Sequence, residues 1–266
     1  MVEAGQVELA APVGEYLADY PNRDVAAKAT IHHLLTHTAG TGGIFGPEFQ
    51  ARRLELRTLD DYVRLYGERG LEFEPGSGWQ YSNYGYILLG AVIEQVTGQT
   101  YYDYVQERIY QRADMSATGS EPEDHSVPDR SAGYTKPPGT VEWGPNTDTL
   151  PWRGTSAGGG YSTTGDLARF GQALLGHRLL RPDSTQLLIA GKAGRAHGTR
   201  YAYGFWDRRD TERDGSVGHS GGAPGMNGDL RIYPQPGYIV VALANMDPPA
   251  AERIAIWLGA RLPAQG

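Results

Sequence analysis

The sequence predicts an α+β fold, and three observations predict it. Apolar residues recur at helical spacing through the first two-thirds of the chain. Short apolar runs between Gly and Pro turns fill the final third, and one more helical segment closes it. Helices first, then a strand meander and a terminal helix, segregate the element types as α+β folds do. The expected arrangement is one domain over 1–266. A mainly helical region runs to about residue 200 and carries a long loop at 119–155; sheet strands and a C-terminal helix occupy about 200–266.

Each element has a local reason. Val2, Glu3, Ala4 and Gly5 read as the frayed end of a helix with Gly5 as its stop. Thr30 is placed to cap a short helix over 31–37, ended by Gly40. Thr58 and Asp61 form a capping box, and Tyr62, Val63 and Tyr66 follow at helical spacing. Residues 74–78 are a turn. Ile87, Leu88, Ala91, Val92, Ile93 and Val96 then make a broad apolar helix face closed by Gly98. Thr100 and Asp103 open a Tyr-rich helix. Residues 119–155 are rich in Pro, Gly, Thr and Asp, and loops of that length are usually functional or disordered. Thr163 and Asp166 cap a helix with Leu167, Phe170, Leu174 and Leu175 inward. Strands are expected at 201–206, 229–233 and 238–244. The last helix, 249–262, has Ile254, Ile256, Trp257 and Leu258 as its apolar residues.

Composition narrows the function classes. Lys plus Arg is 24, Asp plus Glu is 31, and the net charge is −7, which gives no electrostatic footprint for nucleic acid or an anionic membrane. There is no cysteine, so disulfides, thiolate metal sites and cysteine nucleophiles are excluded. No apolar run approaches the roughly 18 residues of a membrane span. The first residues lack the basic start and apolar core of a signal peptide.

Two stretches carry chemistry. In the first, a turn delivers Tyr81, Ser82 and Asn83 just ahead of the apolar helix. Tyr81 is a general base only if cations lower its pKa from about 10; otherwise Tyr81 packs and Asn83 caps the helix. The second is Gly218-His219-Ser220-Gly221-Gly222, literally a G-x-S-x-G elbow. That elbow needs a helix after its serine and a histidine later in the chain. Gly221, Gly222, Ala223, Pro224 and Gly225 start a helix poorly, and His219 is the last histidine. A chymotrypsin-like Gly-Asp-Ser-Gly-Gly has Asp where His219 stands, and a helical first half does not suit two β-barrels.

Both stretches together resemble the second and third motifs of serine β-lactamases, penicillin-binding DD-peptidases and related esterases. Residues 31–40, IHHLLTHTAG, are similar to that family's Leu-Leu-Thr-His-Thr-Ser-Gly segment. Residues 157–170, AGGGYSTTGDLARF, resemble its Ala-Gly-Gly…Asp-Leu-Ala-Arg-Phe segment, and Tyr203-Gly204-Phe205-Trp206 resembles the strand before the third motif. The resemblance implies an antiparallel sheet flanked by helices plus a mostly helical region. It also implies acyl-enzyme hydrolysis of an ester, amide or β-lactam, on a small-molecule or peptide substrate and without a cofactor or metal. In that reading Tyr81 is the general base or proton relay and Asn83 holds the acyl-side amide. His219 takes the place lysine fills in many β-lactamases, and Ser220 lies on the same strand face. The Gly222 N–H is half of the oxyanion hole. Gly221 and Trp152 belong to the substrate surface, although Trp143 and Trp152 read equally well as anchors of the long loop.

One departure is large. The family's S-x-x-K motif supplies the acylated serine and its lysine, and no serine here has a lysine three residues on. The resemblance places that serine about three to four helical turns before Met1, with the first sheet strands upstream as well. Ser82 and Ser220 are the hydroxyls that could substitute, and neither has a lysine at helical spacing. The expectation is therefore a chain inactive alone, with a catalytically dead binding relative as the alternative. An exposed sheet edge would permit self-association. Compartment is open, since full-length relatives are often exported. His33 and His37 stand at a zinc-like i, i+4 spacing but lack the glutamate of H-E-x-x-H and a third ligand. Tyr101, Tyr102 and Tyr104 read as helix packing rather than a stacking platform, for want of basic neighbours.

Overall fold

The computed structural model describes residues 1–137, 139–196, 198–211 and 214–263. Helices α1 (Arg23–Lys28), α2 (Ile31–Leu35), α3 (Pro47–Arg52), α4 (Leu59–Tyr66), α5 (Asn83–Thr97) and α6 (Tyr101–Val105) form the first layer. The segment that follows carries, among its described residues, a helical turn at Gln106–Tyr110, a two-residue ladder, β1 (Tyr134–Thr135) with β2 (Gly144–Pro145), and a short 3-10 turn at Thr147–Thr149. Helices α7 (Thr164–Leu175) and α8 (Pro182–Ile189) lead into the sheet. Its strands are β3 (Ala193–Ala196), β4 (Thr199–Tyr201), β5 (Trp206–Asp207), β6 (Val217–Ala223), β7 (Met226–Tyr233) and β8 (Tyr238–Ala244). They lie side by side in chain order, all antiparallel, and α9 (Ala250–Gly259) follows.

The helical layer forms around α5. Ile87 and Leu88 are fully buried against Leu34 of α2 and Leu59, Tyr62 and Tyr66 of α4. Fully burying such side chains stabilises the fold by about 1.5–3 kcal/mol each. Thr58 and Asp61 close the expected capping box on α4, and Gly98 ends α5 at φ +68°. Three local expectations are corrected. Ser82, not Asn83, caps α5, because its Oγ accepts the Gly85 N–H while Asn83 is already the first helical residue. α2 stops at Leu35 rather than at 37, because His37 takes φ +59° and turns the chain out of the helix. The tyrosines do have basic neighbours, Arg153 over Tyr102 from a distant part of the chain and Arg108, four residues on, over Tyr104.

The sheet is covered on both faces. Ile232 and Ile239 pack with Leu174 of α7 and Ile189 of α8. Tyr233, Val240 and Ala242 pack with Ala251 and Ala255 of α9. Double coverage explains why β8 is an apolar run rather than an alternating one. The last helix lies within the expected span as α9. Its small alanines face the sheet, while Ile254, Ile256, Trp257 and Leu258 are exposed. The expected strand at 201–206 is two pieces, β4 and β5. Gly204 at φ +80° and the Ala202 N–H to Phe205 carbonyl bond turn the chain between them.

Candidate active site

One wall is the segment before α5, and a single histidine holds it. The His37 carbonyl accepts the Gln80 N–H at 3.0 Å, and its Nδ1 accepts the Ser82 N–H at 3.0 Å. Tyr81 lies between those two anchors, its ring 4.1 Å from the imidazole. His37 is 1% exposed, and its Nε2 has no hydrogen-bond partner among the described residues. Burial, helped by the nearby His219, pushes its pKa down to about 3, so the ring is neutral. Sequence reasoning missed this role. The Thr-His-Thr segment marked the residue, but nothing local showed that its ring would meet Ser82.

Ser82 is buried and fully used. Its Oγ donates to the Gly42 carbonyl at 2.5 Å, accepts the Gly85 N–H at 2.9 Å and lies 2.9 Å from the Thr41 hydroxyl. A hydroxyl so engaged is a helix cap, not a nucleophile. Tyr81 is 41% exposed and its pKa is raised by burial. No cation among the described residues lowers it. Asn83 is half-buried, and its side-chain amide makes no hydrogen bond to the described residues.

The other wall is β6. β7 pairs along all of it, but β5 pairs only with Val217 and Gly218. From His219 onward the outer edge of β6 has no partner strand among the described residues. His219 sits opposite Leu230, and its ring centroid is 6.1 Å from that of Tyr81. Burial, with the Arg208 charge, holds its pKa below the usual histidine value. Ser220 is opposite Asp229, whose carboxylate pairs with Arg231 behind the sheet. The expectation that Ser220 shares a face with His219 is therefore corrected, since adjacent strand residues point to opposite faces. Gly221 shares the His219 face, and a Cβ there would meet nothing within 4 Å. A Cβ on Gly222 would lie 2.3 Å from Pro248 Cγ, so that glycine is required by the chain's own packing.

Tyr201 joins the walls. It is 1% exposed, its hydroxyl is 3.1 Å from His219 Nε2, and its ring is 4.5 Å from His37. Trp79 and Trp206 extend this aromatic floor, their centroids 5.6 Å apart. Trp152 lies elsewhere. Arg57 stacks on it at 4.4 Å, its N–H donates to the Arg53 carbonyl and its carbonyl accepts from Glu123 N–H. His33 is occupied too, its Nδ1 accepting the Thr30 N–H in the α2 cap.

Comparison with known proteins identifies the family and the fold. A family model described as Beta-lactamase matches residues 1–265. The chain is 29% identical over 255 residues to Penicillin-binding protein 4* of Bacillus subtilis (strain 168), covering 88% of this chain and 54% of that protein. The chain thus spans about half the length of the curated relatives it matches first. A crystal structure of a penicillin binding protein from Bacillus halodurans superposes with a TM-score of 0.85 at 32% identity, covering 97% of this chain and 79% of that one. A D-stereospecific amidohydrolase from Streptomyces sp. gives a TM-score of 0.84 at 25% identity, covering 99% and 82%. The three lysines here, Lys28, Lys136 and Lys192, follow Val25, Gly133 and Ile189 at the third position back, so no S-x-x-K lies among these residues.

Proposed function

Since the chain belongs to the Beta-lactamase family, we propose that its cleft is one side of a serine-hydrolase site working through an acyl-enzyme on an ester, amide or β-lactam. The carrying observation is the open edge of β6 facing the Tyr81 turn, with His219 and Tyr81 rings 6.1 Å apart. An unpaired strand edge offers N–H groups to a developing oxyanion, and the Gly222 N–H is the donor assigned here. Asn83 holds the acyl side, Gly221 leaves room for it, and Tyr81 relays the proton once a cation lowers its pKa. Trp152 is left as a loop anchor. No serine here has a lysine three residues on; in this reading the acylated serine is supplied from outside these 266 residues and the chain alone is inactive.

A fluorophosphonate probe tests this. The product of the whole open reading frame forms a covalent serine adduct, and the 266-residue chain forms none and leaves p-nitrophenyl butyrate at the buffer rate. An adduct on Ser82 or Ser220 overturns the account of the nucleophile. Ligand binding in the cleft with no adduct from the whole reading frame makes the protein a binding relative instead.

Self-association is a separate part of the proposal. β7 covers one side of β8, the other side has no partner strand among the described residues, and Leu243 of β8 is 41% exposed. Such an edge is a template for a second copy. Sedimentation that depends on concentration, and loses that dependence in Leu243→Lys, supports it; a monomer at every concentration removes it.

A further inference from the structure

Both nitrogens of the His219 ring are engaged by the chain itself. Nδ1 lies 2.5 Å from the Ser220 carbonyl oxygen. A carbonyl only accepts, so Nδ1 carries the hydrogen. Nε2 lies 3.1 Å from the Tyr201 hydroxyl. A neutral ring with its hydrogen on Nδ1 offers Nε2 as an acceptor, and the Tyr201 O–H donates to it.

The surroundings favour that neutral form. The groups facing the ring are Tyr81 from the turn before α5 and Tyr201 of β4, while the neutral His37 after α2 and the Arg208 charge after β5 act on it through space. Two phenols, a second neutral imidazole and a guanidinium give a second proton nothing to pair with. No carboxylate among the described residues is a hydrogen-bond partner of His219. Arg208 lies with its Nε 3.9 Å from Asp214, and its buried Nη1 has no hydrogen-bond partner among the described residues. A lysine at this position would carry its charge into the cleft, whereas this histidine keeps both polar atoms turned to the protein.

We infer that Tyr201 is the positioning residue that holds His219 as the neutral Nδ1–H tautomer, so His219 itself brings no cation to the cleft and the cleft takes uncharged esters or amides in preference to carboxylate-bearing ones. The substrate half rests on the reading of the cleft as an acyl-transfer site. The tautomer half does not.

The test uses the 266-residue chain labelled with 15N-histidine. Long-range 1H–15N correlation at pH 7 shows His219 with its hydrogen on Nδ1. Tyr201→Phe removes the donor and keeps the ring, and the His219 titration midpoint moves up by about one pH unit. A role limited to packing would leave both signals where they are. The ligand probes are N-benzoylglycine and its methyl ester, which differ in one charge. The ester binds at least about tenfold tighter at pH 7, because the acid must bury a carboxylate against a neutral His219. His219→Lys closes or inverts that ratio. Should Tyr201→Phe fail to fold, the wild-type tautomer and the ester-to-acid ratio still decide. A hydrogen on Nε2, an imidazolium at pH 7, or equal affinities overturn the inference. If neither probe shifts Tyr81, Asn83 or His219 resonances, the acyl-site reading and the substrate half fall together, while the tautomer spectrum still judges Tyr201.

Discussion

The two walls of the cleft are built by opposite means. The Tyr81 wall is held shut by short hydrogen bonds from His37 and Ser82, most of them buried and most to backbone groups. The β6 wall is held on one side only, by β7, and its other edge is open from His219 onward. The first wall is finished within the chain and serves as a reference surface. The second leaves backbone groups that only a ligand, water or another segment can satisfy. Substitutions that damage the fold therefore belong to the closed parts of each wall, and substitutions that spare it belong to the open edge.

The largest effect is expected where β6 is closed on both sides. A Cβ on Gly218 would sit 1.9 Å from the Leu230 carbonyl oxygen, a backbone atom that cannot swing away. Gly218→Ala should cost about 3 kcal/mol or more in urea unfolding. A cost under about 1 kcal/mol would show that β6 and β7 separate easily and that the strand wall is soft throughout.

Acid should attack the Tyr81 wall next. His37 titrates near 6.5 when unfolded and at about 3 in the fold. Between those values the unfolded chain holds a proton that the folded chain does not. Stability is thus full above about pH 6.5 and falls with pH, by at most about 1.4 kcal/mol per unit. His219, also depressed, acts in the same direction. From about pH 6.5 to about 4.5, before most carboxylates titrate, the loss from His37 should be about 2 kcal/mol. His37→Asn keeps an acceptor for the Ser82 N–H and tolerates φ +59°. Its unfolding free energy should be lower at pH 7 but flatter with pH. A wild-type profile already flat over this window would remove His37 as a buried neutral base.

Ser82→Ala against Ser220→Ala compares the walls directly. Ser82 is 3% exposed, and its loss strips the α5 cap and leaves the Gly42 carbonyl and Gly85 N–H without a partner. About 2 kcal/mol should go. Ser220 is half-buried and has no such bonds, so its change should stay within about 0.5 kcal/mol. Equal costs would erase the distinction.

Legibility in the sequence follows the same division. Local patterns reported the helical layer well: the Thr58–Asp61 box, the α5 face and the Gly98 stop depend on neighbours within a turn or two. Both chemical stretches were also visible, because their residue types are unusual together. The partners that fix them were not. His37 meets Ser82 across 45 residues, and Tyr201 meets His219 across 18 through a turn at Gly204. The packing face of α9 was not legible for a related reason. An apolar list on a helix does not say which face a sheet will cover, and the alanines won here because they let the helix approach closely.

The smallest stability effect should fall on the open edge, at Gly221, and it has the sharpest meaning. Gly221 shares the His219 face, lacks a positive φ, and a methyl group placed on it would have no neighbour within 4 Å. Alanine there restricts the unfolded chain without a clash, so Gly221→Ala should leave the fold unchanged or more stable by about 0.5 kcal/mol. The same methyl projects toward the Tyr81 wall, where a ligand would lie. Binding of the N-benzoylglycine methyl ester should weaken roughly tenfold, the discrimination one methyl group commonly gives in a closed site. Stability up with binding down is the signature of a glycine kept for a ligand rather than for the fold, because a packing glycine such as Gly218 loses both. If Gly221→Ala binds the ester as well as wild type does, the ligand does not run along β6, and the open edge is only a surface.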